Sequence, residues 1–587
     1  MRRFQIALSA ATTISLALLP YPECRAEDNG TKGPMEEAAQ WRAEGRIIDL
    51  HMHVSGSNER IERAIGIMDR TGIGIGVNLS GDTSIPKVGT VSRLAQNKQR
   101  ADLVSPRRFV HYMNLDYSKW DTPDFAEQAV KQIEEGHRQG AAGLKEYKRL
   151  GLYLKNKAGE LIEIDDPKLD PVWKRCGELN MPVSIHVADP KAFWLPYNDK
   201  NERWVELKDH KSWWFGDPEK YPSREDLLDA RNRVIKRHSG TTFVCVHFGN
   251  NPEDIDWIGR SLDELPNMMV DIAARVPELG RHDPAKVRAL FTKHQDRIFF
   301  ATDFMVYNKL ILGSGGDGPG PDDDDAVEFY DKHWRWFETN DKQFAHMTPI
   351  QGEWKIDAIG LSAPVLRKVY FDNARKLLVR TLPPPTLKAK RIEADFEIDG
   401  APDDAAWNGA AFARIDYGIR KGDAHPALST SAQVLWSNKY LYIGYRAPFE
   451  KLTTFEPVSE TERMGLWDRD VVEAFVGIDP DNVRNYTEFE VAPTGEMLDL
   501  ILDLPEKDFA WSSGFEAKVQ IDHEAKVWST EMRIPISAIS KLAPKAGETV
   551  WRLNLYRKST VDKVFLGWAP TATGTAHTPE RFGYLQF

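Results

Sequence analysis

The stretch Ile47-Ile48-Asp49-Leu50-His51-Met52-His53 is a short apolar run that ends in two histidines one residue apart. In an extended strand, residues i and i+2 point to the same face, so both imidazoles can reach one metal ion at the strand end. A pair of neighbouring histidines is a weak indication by itself, because such pairs also occur on surfaces and in hydrogen-bonded cores. The stretch therefore predicts a metal-binding strand end if further ligands join it.

Three later apolar runs end in residues that bind or activate metals. They are 181–186, which ends at His186, 242–247, which ends at His247, and 297–303, which ends at Asp303. Runs dominated by apolar and β-branched residues are typical of strands that are buried on both faces. The repetition of this pattern four times in order favours a metal site.

Amphipathic helical stretches, for example 124–140 and 224–238, alternate with the apolar runs from about residue 46 to residue 380. This alternation indicates repeated βα units, which form either a doubly wound sheet or a parallel barrel. Candidate metal-binding and catalytic residues follow several of the predicted strands. They favour an α/β fold of the (β/α)8 TIM-like barrel type, because such a barrel assembles its active site at the C-terminal ends of its strands.

Two connections are unusually long for βα units. The first, between His186 and Arg224, is rich in aromatic residues, and we expect it to form a lid. The second follows Asp303 and ends in an acidic tract at 322–325, which we interpret as a solvated charge run rather than a second cation site.

The pattern changes at Pro383-Pro384-Pro385, because three prolines exclude a helix and form a stiff spacer. Beyond it, short alternating segments separated by turn residues predict an antiparallel β-sandwich. We therefore expect a metal-dependent barrel at 46–380, a proline-rich linker at 381–386 and a β-sandwich domain at 387–587. A length of 587 residues agrees with two or three domains.

The net charge of -11 argues against binding to nucleic acid or to an anionic membrane surface, since both require basic clusters. Residues 1–26 have the three-part layout of a secretory signal peptide, and no later stretch resembles a membrane span. We therefore expect a periplasmic or secreted protein. Cys176 and Cys245 lie in apolar patterns, where inert buried thiols are expected.

Residues of about 46 to 380 resemble the amidohydrolase superfamily of metal-dependent barrels, in particular its amidohydrolase-2 branch, which contains decarboxylases and lactone hydrolases. In that family the first strand supplies a His-x-His pair, the fifth and sixth strands one histidine each, and the eighth an aspartate. The resemblance assigns these positions, in order, to His51, His53, His186, His247 and Asp303. It implies that His51, His53, His186 and Asp303 bind the metal.

The chemistry of these side chains agrees with that assignment. Imidazole nitrogens and a carboxylate suit a divalent ion, for which we expect zinc, with an open position for water. Asp303 is the candidate to take the proton of that water and pass it to the leaving group, and His247 is the candidate to polarise or protonate the substrate.

Lys145 falls about where the fourth strand should end. Some members of the superfamily carboxylate a lysine there to bridge two metals, and an ammonium that binds a substrate carboxylate or phosphate agrees equally well with lysine chemistry. We expect one metal, with Lys145 lining the pocket. Asp271 and Arg275 mark the end of the seventh strand and are further candidate substrate-binding residues, with structural ion pairing as the alternative.

Residues from about 386 to 587 resemble the family-nine carbohydrate-binding modules. In that family two tryptophans can sandwich a sugar ring while polar groups, including a glutamate, bind its hydroxyls. The resemblance therefore implies Trp467, Glu473 and Trp568 as carbohydrate-binding residues, and core packing is the alternative for the tryptophans. The matching pieces are Ile398-Asp399-Gly400, Ala406-Trp407, Leu441-Tyr442-Ile443, 467–473 and Arg581-Phe582-Gly583.

These observations predict an exported metal-dependent hydrolase that cleaves an ester, lactone or amide bond of a small carbohydrate-derived or aromatic acid substrate by a metal-activated water. The first alternative is a metal-dependent non-oxidative decarboxylase of the same branch. The second is a non-catalytic carbohydrate-binding protein, against which the complete set of ligand residues argues. The expected partners are a small-molecule substrate and a glycan ligand at the C-terminal module.

Overall fold

Eight short parallel strands organise the first part of the chain. The computed structural model describes residues 33–79, 83–85, 89, 91–460 and 462–587, so the expected signal peptide lies outside the described residues. The eight strands are β1 (Ile47–Val54), β2 (Ile73–Asn78), β3 (Phe109–His111), β4 (Leu144–Glu146), β5 (Val183–Ile185), β6 (Phe243–Cys245), β7 (Met268–Asp271) and β8 (Ile298–Phe299).

These strands follow one another in sequence order within two sheets. One sheet holds β1, β2 and β3, extended beside β1 by Phe304–Val306 and Leu310–Leu312, and the other holds β4 to β8. A parallel bridge between Met113 and Leu144 joins the sheets at one side. At the other side, the backbone N–H of Leu50 donates to the carbonyl of Phe300 at 3.1 Å. This order and both connections fit the expected barrel.

Helices alternate with the strands, as the amphipathic pattern predicts. The helix Asn58–Thr71, for example, begins after Ser57, whose hydroxyl accepts a hydrogen bond from the N–H of Arg60, and ends at Gly72 with φ of 79°. The longer helices are Pro34–Ala43, Asn58–Thr71, Arg93–Val104, Phe125–Arg138, Asp170–Glu178, Arg224–Arg237, Ile255–Glu264, Pro284–Lys293 and Asp323–Glu338; shorter ones are Trp204–Leu207, Val276–Leu279, Ala363–Arg367 and Asn373–Leu377.

The acidic tract at 322–325 begins a helix. Asp322 accepts hydrogen bonds from the N–H groups of Asp324 and Asp325 and so caps the helix Asp323–Glu338. Carboxylates are favourable there because the N-terminal end of a helix carries a partial positive charge. Asp323 and Asp324 also form ion pairs with Arg63 and Arg70, so the tract joins two helices as well as facing solvent.

The C-terminal part of the chain consists of two β-sheets that enclose one buried apolar cluster, the layout expected of a β-sandwich. The first sheet contains Thr386–Lys388, Gly583–Gln586, Val550–Ser559, Val471–Gly477, Asn485–Val491, Met497–Asp503, Glu506–Asp508, Val564–Gly567 and Tyr417–Gly418. The second contains Lys390–Arg391, Thr430–Trp436, Tyr440–Pro448, Val527–Pro535, Glu516–Asp522 and Phe412–Ile415. The short helix Ile536–Ile539 follows Val527–Pro535.

A buried ionic network joins the two parts of the chain. Asp416 of the β domain accepts hydrogen bonds at 3.1 Å from Arg46, which precedes β1, and from Arg367. Arg367 also contacts Asp372, whose carboxylate accepts a hydrogen bond from the hydroxyl of Tyr417. Asp416 is fully buried, so the β domain is held against the N-terminal end of β1 by charges that have little access to water.

No helix among the described residues is long and apolar enough to cross a membrane. Cys176 and Cys245 are both buried free thiols, as their apolar surroundings in the sequence predict.

Candidate metal centre

Three side-chain atoms from β1 and from the residues after β8 form a small triangle. Nε2 of His51 lies 3.2 Å from Nε2 of His53, and each of these nitrogens lies 3.4 Å from Oδ1 of Asp303. A point equidistant from three atoms so spaced lies about 2 Å from each, which is close to a zinc–nitrogen bond length. The alternation of an extended strand explains why His51 and His53 face the same point.

The tautomer of His51 follows from its second contact. Nδ1 of His51 lies 3.0 Å from Oδ2 of Asp271, so Nδ1 carries the proton that the carboxylate accepts. Nε2 of His51 therefore presents a lone pair to the triangle, the arrangement in which a carboxylate orients a metal-binding imidazole. Oδ1 of Asp303 and Nδ1 of His53 are buried and have no hydrogen-bond partner among the described residues. The donor set fits a divalent ion held by His51, His53 and Asp303.

Asp303 is held in place by the strand beside it. Its backbone N–H donates to the carbonyl of His51 at 2.9 Å, and its backbone is left-handed, with φ of 61°. Burial would raise the pKa of the Asp303 carboxyl, but the imidazoles of His51 and His53 together hold it below its ordinary value. The carboxylate is therefore ionised at neutral pH, as a metal ligand must be.

His247 lies beside the same triangle. The ligand atoms of His51, His247 and Asp303 all lie within 4.8 Å of one another. Nδ1 of His247 donates to the carbonyl of Ala273 at 2.8 Å, so Nε2 is the nitrogen with the free lone pair. The sequence analysis gave His247 a catalytic role only, whereas this geometry also suits a ligand.

His186 packs against His247 with 4.4 Å between the ring centroids. Its Nε2 lies 3.1 Å from the carbonyl of Ala188 and 3.5 Å from Oδ1 of Asp189, so Nε2 donates and Nδ1 carries the lone pair. The role of His186 as a ligand stays a prediction.

Burial sets the protonation state of these imidazoles. It lowers the pKa of His51 and of His247 well below the ordinary value, and it lowers the pKa of His186 to about 4. All three are neutral near pH 7, the state that binds a divalent ion.

Asp271 acts inside the site rather than at its surface. Its Oδ1 accepts hydrogen bonds from the N–H groups of His247 at 2.8 Å and Ala273 at 3.1 Å, while its Oδ2 faces His51. Because both oxygens are engaged, the side chain orients His51 and holds the left-handed backbone of His247, which has φ of 56°. These contacts agree with the structural pairing that the sequence left open for Asp271, and its contact with a substrate stays a prediction.

Lys145 and Arg275 bring positive charge to the site. Lys145 is 1% exposed and its Nζ has no hydrogen-bond partner among the described residues. Burial lowers the pKa of Lys145 to about 8, an effect opposed by Asp271 and Asp303. Arg275 donates to the carbonyl of Ala274, and its buried Nε has no partner within the described part of the chain. A terminal nitrogen of Arg275 also forms an ion pair with Asp189 at 4.0 Å. The unpartnered Nζ of Lys145 and Nε of Arg275 suit an anionic group of a substrate.

Sequence reasoning missed Asp49. Its carboxylate accepts hydrogen bonds from the N–H groups of His51 and Thr302, each at 3.1 Å, and from the hydroxyls of Thr302 and Tyr330. It thereby joins β1 to the segment that carries Asp303. A fully buried carboxylate needs such partners, and a lone acidic residue inside an apolar strand was the signal that could have identified it.

The proposed carbohydrate-binding residues lie in different parts of the β domain. Trp568 is 9% exposed and belongs to the apolar cluster between the two sheets. Trp467 packs against a second cluster, which contains Val471, Phe475 and Tyr486. The structure therefore places the two tryptophans in separate clusters.

Glu473 is buried on the larger sheet. It lies directly opposite Glu490 on the neighbouring strand, and Glu488 follows on the same face. Burial raises the pKa of all three carboxyls. The sugar-binding role of Trp467, Glu473 and Trp568 stays a prediction.

Comparison with known proteins finds a similar family model for each part of the chain. Residues 115–380 match the family model described as Amidohydrolase, and residues 398–587 match the model described as Carbohydrate family 9 binding domain-like. The first match begins after β1, so His51 and His53 lie outside it. A curated protein named "Extracellular protein", from Arthroderma benhamiae, is 24% identical over 199 residues, which cover 31% of this chain and 86% of that protein.

Solved structures resemble each part only distantly. The 2,6-dihydroxybenzoate decarboxylase from Rhizobium is 15% identical, covers 57% of this chain and 98% of its own, and has a TM-score of 0.33. A family 9 carbohydrate binding module from Caldicellulosiruptor kristjanssonii, in complex with cellotriose, is 17% identical, covers 34% of this chain and 92% of its own, and has a TM-score of 0.26. Scores this low carry no conclusion about this chain.

The resemblance to both families in the sequence is thus confirmed by the family models. Residues 115–380 are thus similar to the amidohydrolase family, and residues 398–587 are similar to carbohydrate family 9 binding domains.

Proposed function

We propose that this protein is an exported metal-dependent hydrolase that cleaves an ester, lactone or amide bond of a small carbohydrate-derived or aromatic acid substrate. The proposal rests on the triangle of Nε2 of His51, Nε2 of His53 and Oδ1 of Asp303, whose sides measure 3.2 to 3.4 Å. The proposal also includes closure of the eight strands into a (β/α)8 barrel. The triangle lies near the C-terminal end of β1, the end at which a barrel of this type assembles its active site. His186 is proposed as a further metal ligand and His247 as a neighbouring catalytic residue.

A divalent ion, zinc in this proposal, supplies Lewis acidity that makes a water molecule reactive near neutral pH. Asp303, which is ionised and whose Oδ1 is one corner of the triangle, takes a proton from the attacking water and passes it to the leaving group. His247 is proposed to polarise or protonate the substrate with a proton that its Nε2 takes up from solvent, since the imidazole is neutral in the resting site. Lys145 and Arg275 bind an anionic group of the substrate, and Asp271 keeps His51 in the tautomer that presents Nε2.

Non-oxidative decarboxylation is the second candidate reaction, because one observation favours it. Lys145 and Arg275 both carry buried N–H groups that have no partner in the described part of the chain, and these groups suit a substrate carboxylate. Product analysis separates the two reactions: release of carbon dioxide supports decarboxylation, and a free acid with an alcohol or amine supports hydrolysis.

The first test removes the metal site. Chelation, or His51→Ala with His53→Ala, should abolish turnover of a substrate found in a screen of lactones, esters and aromatic acids, while circular dichroism stays that of the folded protein. His425→Ala with His523→Ala, two histidines of the β domain, is the matched control and should keep full activity and metal content. Full turnover by a rigorously metal-free preparation would contradict the proposal.

The C-terminal domain is proposed to bind a glycan, in agreement with its family, and the extracellular relative supports export. Trp467→Ala should weaken retention on a glycan array because Trp467 is the more exposed of the two tryptophans. Trp568→Ala removes a core side chain, and we expect it to lower the melting temperature of the β domain. Unchanged glycan retention by Trp467→Ala would remove the assigned role of this residue.

A further inference from the structure

A cavity of about 560 Å³ lies between the amidohydrolase segment and the β domain. The amidohydrolase segment contributes Lys376 and Arg380 to its wall, and the β domain contributes Arg420 and Lys421. Cavities of this size at the boundary between domains are common places for small ligands.

The cavity is separate from the metal centre. Pro182 and Thr242, which line it, directly precede β5 and β6. His186 and His247 follow the opposite ends of the same two strands. Since parallel strands share one direction, the cavity and the metal centre lie at opposite ends of the sheet.

The charge of the cavity wall is unusual for this protein. The chain as a whole has a net charge of -11, yet four cations line the cavity. Among the lining residues that the structure describes, Asp296 is the single carboxylate, and it forms an ion pair with Lys368 at 2.7 Å. Within the same described residues, Lys376, Arg380, Arg420 and Lys421 form no ion pair. No carboxylate of the described residues therefore neutralises these four cations, of which Lys376, Arg420 and Lys421 are exposed to solvent.

Arg380 carries the clearest sign of a missing partner. One of its terminal nitrogens donates to the carbonyl of Ala141 at 2.7 Å, but its buried Nε has no hydrogen-bond partner among the described residues. Burial, together with the nearby guanidinium of Arg581, lowers the pKa of Arg380. A buried N–H group without a partner costs free energy, which an oxyanion would recover through charge-assisted hydrogen bonds.

We propose that this cavity binds a small oxyanion with two or more negative charges, held by Arg380, Arg420, Lys421 and Lys376. Guanidinium groups bind phosphate and carboxylate oxygens in pairs, and lysines add charge without a fixed geometry. Because the wall is built from both domains, the bound anion stabilises their contact. Inorganic phosphate and an acidic oligosaccharide share this chemistry and are the two sources to be compared.

The experiment is isothermal titration of the metal-loaded full chain with inorganic phosphate, with a trigalacturonate, and with cellotriose as the neutral control. We expect binding of at least one of the anions, weakened by added salt and accompanied by a higher melting temperature, and no such effect of cellotriose. The anion that binds identifies the source. Absence of binding and of any shift in melting temperature with both anions at millimolar concentration would overturn the proposal.

Charge-removing variants locate the site. Arg420 and Lys421 lie in an exposed turn. We expect the double variant Arg420→Gln with Lys421→Gln to weaken anion binding about tenfold or more. Lys376→Gln with Lys421→Gln is a second variant in case the first does not fold. Lys518→Gln with Lys541→Gln removes the same charge from the same domain and should bind as the original protein does. Anion binding that persists unchanged in the cavity variants would place the anion elsewhere and refute the assignment.

Discussion

The carboxylate of Asp271 lies 3.0 Å from Nδ1 of His51, on the side of the imidazole opposite to the proposed metal position. The other oxygen of the same carboxylate accepts the backbone N–H of His247. One buried side chain therefore fixes the tautomer of a proposed ligand on β1 and the backbone that carries a neighbouring histidine.

Asp271→Asn tests this link. The amide can no longer accept a charge-assisted hydrogen bond from His51, and we expect the metal dissociation constant to rise about 10- to 100-fold. Competition with a chelator of known affinity measures the change directly. Asp256→Asn, at an exposed carboxylate that pairs with Lys286, is the control and should leave the affinity unchanged. Equal affinities of Asp271→Asn and the original protein would contradict the orienting role.

Lys145→Gln tests the proposed contact with an anionic substrate. Loss of a charge-assisted hydrogen bond of about 1.5–3 kcal/mol should lower kcat/KM for a carboxylate-bearing substrate roughly 10- to 100-fold. The loss should be smaller for a neutral substrate with the same scissile bond. Lys157→Gln at an exposed position serves as the control. A similar loss for charged and neutral substrates would argue against contact with the substrate anion.

Asp416→Asn tests the ionic network between the domains. It leaves Arg46 and Arg367 without their shared carboxylate, and removing one partner of a buried ion pair costs about 3–5 kcal/mol. We expect a lower melting temperature, separate calorimetric transitions for the two parts, and faster proteolysis near residues 381–386. Asp403→Asn, at an exposed position, should change none of these. A single unshifted transition in Asp416→Asn would show that the network does not hold the domains together.

The three buried glutamates of the β domain predict a dependence of stability on pH. Burial raises the pKa of Glu488 to about 7 and also raises that of Glu490, above the value of about 4.3 expected in the unfolded chain. The folded state therefore holds more protons than the unfolded state between these values. The contribution of these glutamates to the stability of the folded state is fully present below the unfolded pKa of about 4.3 and is lost as the pH rises through about 7.

Glu490→Gln should remove much of this loss, because the amide carries no charge at any of these pH values. We expect unfolding of the β domain in the full chain to show a gain of about 1–3 kcal/mol near pH 8 and a smaller change near pH 5. Glu506→Gln, on the exposed strand Glu506–Asp508, is the control. Equal effects of Glu490→Gln at both pH values would show that the pKa of Glu490 does not differ between the folded and unfolded states.

The sequence predicted the strand with His51 and His53 because alternation in an extended chain depends only on local backbone geometry. The apolar run 297–303 pointed to Asp303, and the family resemblance assigned it to the same metal although it lies more than two hundred residues away. The role of Asp271 was not predictable in this way, since it depends on the left-handed backbone of His247 and on the direction of one carboxylate. Asp49 was missed for a similar reason, because its partners Thr302 and Tyr330 are distant in sequence.

The position of Trp568 shows a second limit. The family resemblance implied a sugar-binding role for Trp568 and left core packing as the alternative, because alternation alone does not say which face of a sheet packs against the other sheet. The structure places Trp568 in the cluster between the sheets. The acidic tract at 322–325 was predicted as a solvated run, and its function as a helix cap became visible only with the helix Asp323–Glu338.

The contacts of Asp416 with Arg46 and Arg367 also restrict how the protein meets a solid or polymeric material. When a binding module is joined to its enzyme by a flexible linker, the enzyme can adopt many orientations relative to the surface that the module binds. Here the ion pairs of Asp416 hold the two parts together, so the proposed binding of a surface through the β domain would set the direction in which the proposed metal centre faces. Substrate molecules released from that surface would reach the proposed metal centre only from the direction that this fixed orientation leaves accessible.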